Sequence, residues 1–106
     1  MTRIQHEVIG GQDYLKIGDD YALVVFDHKD PQRILAELRT LHVFDEGQGH
    51  GRALVEAAVE FAEGKHAKVI WGTIAAMPQN HHAKVIRILT GLGFKVEPGG
   101  DFSKNL

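Results

Sequence analysis

The chain has 106 residues, 43% of them hydrophobic and 25% charged, which is the size and composition of one globular domain (1–106) with a single modest core. Twelve Lys and Arg against fourteen Asp and Glu leave a formal charge of −2, without the basic excess that binding a nucleic-acid backbone needs. No cysteine is present, so disulfide frameworks, thiol nucleophiles and Cys-based zinc sites are excluded, and no apolar run approaches the ~20 residues of a membrane span.

The first third reads as short strands punctuated by turns. Ile4 to Ile9 leads into Gly10-Gly11, Tyr14 to Ile17 into Gly18-Asp19-Asp20, and Tyr21 to Phe26 runs up to a break at Asp30-Pro31. Ile34 to Val43 fits two patterns. Leu35, Leu38 and Leu41 would make a helical stripe, whereas Leu41 and Val43 alternate with Thr40 and His42 as in a strand; the strand is favoured over most of the segment. Arg52 to Glu63 predicts a helix, with Leu54, Ala58, Phe61 and Ala62 on one side and Glu56, Glu60 and Glu63 on the other, ending at Gly64. Ala67 to Ile74 predicts a buried strand with Trp71 in the core. A second helix follows Pro78, from Asn80 as N-cap to Thr90, with Ala83, Ile86 and Leu89, and with them Val85 and Leu92, facing inward. Gly91 and Gly93 close it, Phe94 to Glu97 is a further strand, and Asp101 to Leu106 adds a short edge strand.

The most informative stretch is Asp45-Glu46-Gly47-Gln48-Gly49-His50-Gly51-Arg52-Ala53-Leu54, three alternate glycines between a strand and a helix. Glycine lets backbone N–H groups approach a ligand with no Cβ in the way. The helix adds unpaired N–H groups and the positive end of its dipole, which together suit a phosphate or pyrophosphate. A P-loop would end in Gly-Lys-Ser/Thr where this chain has Gly51-Arg52-Ala53. A dinucleotide fingerprint would place its third glycine one residue later and an acidic residue after Val69-Ile70-Trp71. The bland alternative is a flexible turn with a glycine-rich helix entry.

Ala36 to Val43, followed by Gln48-Gly49-His50-Gly51-Arg52-Ala53-Leu54, resembles the acetyl-CoA motif of the GNAT superfamily of N-acetyltransferases, Gln/Arg-x-x-Gly-x-Gly/Ala, in which Gln48, Gly51 and Ala53 match. Leu89-Thr90-Gly91-Leu92-Gly93-Phe94 resembles the family's second motif, a helix ending in Gly-Phe. A register two residues earlier, from Glu46 to Gly51, also satisfies both glycine positions. The resemblance implies an α/β (α+β) fold with a mixed, mostly antiparallel sheet, two main helices and a splayed pair of parallel strands that receives the pantetheine arm of acetyl-CoA. It implies that Leu41 and Val43 offer backbone groups to that arm, that the Leu41 N–H meets the thioester carbonyl, and that Gln48, Gly49, His50, Gly51, Arg52 and Ala53 hold the pyrophosphate. Arg52, or Lys84 on the second helix, would add charge for the 3′-phosphate.

Acyl transfer to an amine needs a base for its proton and a donor for the departing thiolate. Glu37, four residues before Leu41, is the leading base by resemblance, set against the plainer reading of a charge at a strand start. His42 is the runner-up on its ordinary pKa of about 6.5, with its parity opposite to Leu41 against it. Many family members carry a tyrosine as the acid where this chain has Leu89. Helices that usually shape the acceptor side are missing before Asp30, so the acceptor is an amine reached in an open site, such as a lysine or terminus of a protein, or the site is completed by a second subunit in a homodimer. The alternative function is a module of the same fold that binds CoA or a partner protein without turnover. Seven histidines invite a metal, but His81-His82 diverge by about 100° on a helix and no His-x-x-x-His pair is present, so none is expected. Neither a nucleic acid nor a membrane is an expected partner, and with no secretory pattern in view the expected location is cytoplasmic.

Overall fold

A computed structural model of the chain describes residues 3–30, 32–43, 49–76 and 82–106. The first hairpin joins β1 (Gln5–Ile9) to β2 (Gln12–Ile17) through Gly10 and Gly11, both at positive φ (58° and 78°). That pair of left-handed residues matches the twist of antiparallel strands. Gly18 and Asp19 make the next turn, and β3 (Asp20–Asp27) already begins at Asp20, one residue before the sequence reading places it. Antiparallel pairing continues to β4 (Leu35–His42), so the strand reading of that ambiguous segment holds. α1 (His50–Gly64) crosses to β5 (Val69–Thr73), which pairs parallel with β4. A 3-10 turn at Ile74–Ala76, α2 (His82–Gly91), β6 (Lys95–Val96) and β7 (Asp101–Asn105) complete the order.

The seven strands form one sheet in the order β1-β2-β3-β4-β5-β7-β6, parallel only between β4 and β5. The expected edge strand at 101–106 is therefore an interior one. β7 pairs along all of β5, from Val69 with Asn105 to Thr73 with Asp101, whereas the two residues of β6 can satisfy only part of a partner and take the edge. The Glu97 N–H donates to the Asp101 carbonyl at 2.7 Å and closes this second hairpin.

Both helices lie on one face of the sheet. Leu15, Ala22, Val24, Leu38 and Leu41 from the strands meet Leu54, Val55, Ala58 and Ala62 of α1 and Val85 and Leu89 of α2 in one core, closed by Phe94 against Phe102. Each fully buried leucine contributes about 1.5–3 kcal/mol by leaving water. α1 buries Leu54, Ala58 and Ala62 of the stripe its sequence predicts, with Val55 and Val59 added, leaves Phe61 half-buried against the core, and begins at His50. It also runs through Gly64. The left-handed turn that ends it falls on His66 (φ 64°), where the Ala67 N–H reaches back to the Ala62 carbonyl at 3.0 Å.

On α2 the inward stripe is Val85, Leu89 and, half-buried, Ile88 and Leu92; Ala83 and Ile86 face outward. Four apolar residues at 85, 86, 88 and 89 permit two overlapping stripes, and contact with α1 and β6 selects one. The expected cap Asn80 lies outside the described residues. Trp71 is 40% exposed and not a core residue, because it points to the face opposite Ile70, which carries neither helix. No described helix is long and apolar enough to cross a membrane.

Candidate functional site

The parallel pair β4–β5 comes apart. Leu35, Ala36 and Glu37 pair with Val69, Ile70 and Trp71, and pairing then stops although β4 runs on to His42 and β5 to Thr73. A β-bulge sits at the parting: Leu23 opposes Thr40 and Val24 opposes Leu38, leaving Arg39 as the extra residue of β4. Side chains record the slip, since Ala36, Leu38 and Leu41 are all buried in the core. The backbone follows the same count. The Ile34 carbonyl accepts from the Lys68 N–H at 2.8 Å, and the Leu38 carbonyl lies against Gly72, so even-numbered residues face β5 before the bulge. Slipped by one, strand alternation turns the backbone groups of Leu41 toward β5, beyond the last pair.

The first turn of α1 stands at the end of β4, where Gly51 comes close to Val43. Gly49 is the N-cap with φ 75° and ψ 8°, a left-handed conformation that favours glycine, and its carbonyl accepts from the Ala53 N–H at 3.1 Å. Gly49 has no side chain with which to cap the helix, and the first turn holds no acidic residue. The earliest N–H groups, His50 to Arg52, precede the first helical bond. Gly51 has a packing reason as well: a Cβ there would stand 3.0 Å from Ile88 Cδ1 and 3.5 Å from Val43 Cγ2, so the absent side chain lets α2 and the end of β4 close in. Arg52 extends outward and donates from Nε to Glu56 Oε1 at 2.9 Å, both side chains well exposed. Lys84 is exposed on α2, and Ala53 is half-buried. Gln48, matched to the coenzyme motif, lies outside the described residues.

His50 behaves differently from its neighbours. Its Nδ1 lies 2.6 Å from Oδ2 of Asp20, a carboxylate only 3% exposed at the start of β3, 30 residues earlier in the chain. The sequence reading misses Asp20 because Gly18-Asp19-Asp20 looks like a solvated turn.

Glu37 and His42 share a face. On an unbroken strand they would point oppositely, but the Arg39 bulge brings both to the face opposite the helices, so His42 stays opposite to Leu41 as expected and Glu37 joins it there. Glu37 is 19% exposed and receives two bonds from Arg39 at the same oxygen, Oε1, from Nη2 at 2.8 Å and Nε at 3.2 Å. That hydrogen bond, and then the charge attraction, raise the Arg39 guanidinium above its ordinary value. His42 stacks on Tyr21 with ring centroids 5.4 Å apart and planes 11° from parallel, and Tyr21 in turn meets Tyr14 at 5.7 Å. Leu89, at the position of the family's tyrosine, is completely buried among apolar side chains. A depression of about 210 Å³ lined by Glu56, Val59, Glu60, Glu63, Leu92 and Lys104 lies on the later turns of α1, away from the helix N-terminus.

The sequence matches no protein-family model and no curated protein. Among solved structures the chain is similar to one in the crystal structure of the NatC complex bound to Gag peptide and CoA, with a TM-score of 0.64. Identity is 15%, over 90% of this chain and 70% of that one. The fold is thus a GNAT-like mixed α+β fold, with a mostly antiparallel seven-stranded sheet and two helices among the described residues.

Proposed function

We propose that the chain binds acetyl-CoA along the gap between β4 and β5 and transfers its acetyl group to an amine. The observation that carries this reading is the parting of two parallel strands after Glu37 and Trp71, with the Leu41 backbone left facing the gap and the N-terminus of α1 at its head. An extended pantetheine arm has amides that can complete the abandoned ladder of β4 at Leu41 and Val43. The pyrophosphate then meets the N–H groups of Gly49 to Arg52, with Gln48 as a further contact by motif, whereas the Ala53 N–H is already bonded to the Gly49 carbonyl. A Leu41 N–H held beside the thioester carbonyl stabilises the oxyanion that forms as the amine attacks. The arm then leaves as a thiolate while the amine gives up a proton. Glu37, with His42 on the same face, is the base by resemblance to the family, and solvent supplies the thiolate's proton because Leu89 has none to give. The similar chain belongs to a NatC complex bound to Gag peptide and CoA, which supports CoA and an amine on a protein as the pair of substrates.

A second reading is favoured by two observations: Leu89 is buried and apolar, and Glu37 is bonded to Arg39. On that reading the chain binds CoA without turnover and works through a partner protein. A thermal-melt titration followed by a thiol-release assay separates the readings. Acetyl-CoA at a hundred times its dissociation constant adds about 2.7 kcal/mol, a rise of roughly 10 °C for a domain this size. Stabilisation with thiol release in the presence of amine or peptide acceptors supports the enzyme, stabilisation alone supports the binding module, and no shift at millimolar acetyl-CoA refutes both.

A further inference from the structure

We propose that Asp20 is a positioning residue for the phosphate-binding turn, acting through His50; the inference rests on the coenzyme reading above. The first turn of α1 is weak by its own sequence. Its cap is Gly49, which offers no side-chain oxygen to the free N–H groups, and Gly51 follows within the turn, where glycine destabilises a helix by about 1 kcal/mol relative to alanine. No Asp or Glu in that turn complements the positive end of the dipole. A helix start of this kind frays unless tertiary structure holds it.

The hold comes from β3. Asp20 is the buried polar residue of a face otherwise lined by Leu15, Ile17, Ala22 and Val24, and a carboxylate in such a place is tolerated only when bonded. Its Oδ2 accepts from His50 Nδ1–H at 2.6 Å, a short, strong bond that ties the first residue of α1 to the β2–β3 hairpin. One residue on, Gly51 packs beneath Ile88 and against Val43. The turn is thus fixed from both sides: packing at Gly51 sets its depth, and the Asp20–His50 bond sets its rotation. An acidic residue serves a phosphate site here by staying buried behind the helix start, out of reach of the ligand.

The test uses Asp20→Asn and His50→Phe, with acetyl-CoA and S-acetylpantetheine as probes; the second lacks the pyrophosphate and nucleotide. Expected is an acetyl-CoA affinity about fivefold or more weaker in both variants, with acetylpantetheine affinity unchanged, since only the phosphate end meets this turn. Hydrogen exchange on the ligand-free protein should show the Ala53 amide losing protection while the β3–β4 amides keep theirs. Equal weakening for both probes, or for neither, overturns the proposal, as does an Ala53 amide that exchanges as in the wild type. Wild-type protein that ignores acetyl-CoA would instead sink the coenzyme reading, and the exchange measurement still decides whether Asp20 holds the turn. The milder Asp20→Asn variant covers the case in which His50→Phe fails to fold.

Discussion

Gly72 is the position where the splayed pair tolerates least. It lies on β5 one residue past the last β4–β5 pair, opposite Phe102 of β7. A Cβ placed there would stand 2.6 Å from the Leu38 carbonyl oxygen and 2.9 Å from Phe102 Cε1, with Phe102 Cζ nearer still. Ordinary contacts begin near 3.4 Å, so both neighbours would have to retreat by roughly half an ångström or more. Neither can do so freely: the first is backbone at the bulge, and the second is a ring 2% exposed and packed edge-on against Phe94. Overpacking of this kind costs about 1–3 kcal/mol, and the backbone contact argues for the upper end. Gly72→Ala should therefore lower Tm by roughly 8–15 °C, read by circular dichroism. Gly51→Ala is the comparison. Its closest contact is the tip of the Ile88 side chain at 3.0 Å, which can rotate away, and alanine returns about 1 kcal/mol of helix propensity, so Tm should stay within about 4 °C. A Gly72→Ala protein as stable as the wild type would refute the reasoning.

His66→Gly should raise Tm by roughly 2–5 °C, because a non-glycine residue at φ 64° carries about 1 kcal/mol of strain that glycine relieves, partly offset by its looser unfolded chain; a fall in a thermal melt would count against that account of the α1 terminus. Leu89→Tyr, made to supply the family's missing acid, should instead lower Tm by roughly 5–15 °C by forcing a hydroxyl and a larger ring into a filled core, with no gain in thiol release; faster release would show that position 89 reaches the gap. Glu37→Gln keeps a partner for Arg39 and so keeps the fold, and should slow thiol release at least roughly tenfold; an unchanged rate would take the base role from Glu37.

Where a residue's neighbours lie close in the chain, the sequence was legible. Leu54, Ala58 and Ala62 announce the buried side of α1, and Gly10-Gly11 announces a hairpin, because both depend on spacing alone. The ambiguous segment before the glycine loop resolved as the strand Leu35–His42, as the alternation of Leu41 with Thr40 and His42 indicates. Illegible were features decided by remote partners. The bulge at Arg39 has no signature in Glu37-Leu38-Arg39-Thr40, yet it reverses which residues share a face. Asp20 looks like a turn residue until His50 arrives beside it. Trp71 sits in an apolar run that reads as buried on both faces, but neither described helix lies over its side of the sheet. The place of β7 depended on how little β6 could pair.

That place of β7 bears on how folding can finish. Without β7, β5 would have β4 along only three residues and an unpaired edge on its other flank. β6 cannot fill the vacancy, because it never pairs with β5 even in the finished sheet. Closure of this half therefore waits for Asp101–Asn105, and until that strand docks the chain shows an open edge with Trp71 on it. Chains truncated before Asp101 should be the ones that aggregate.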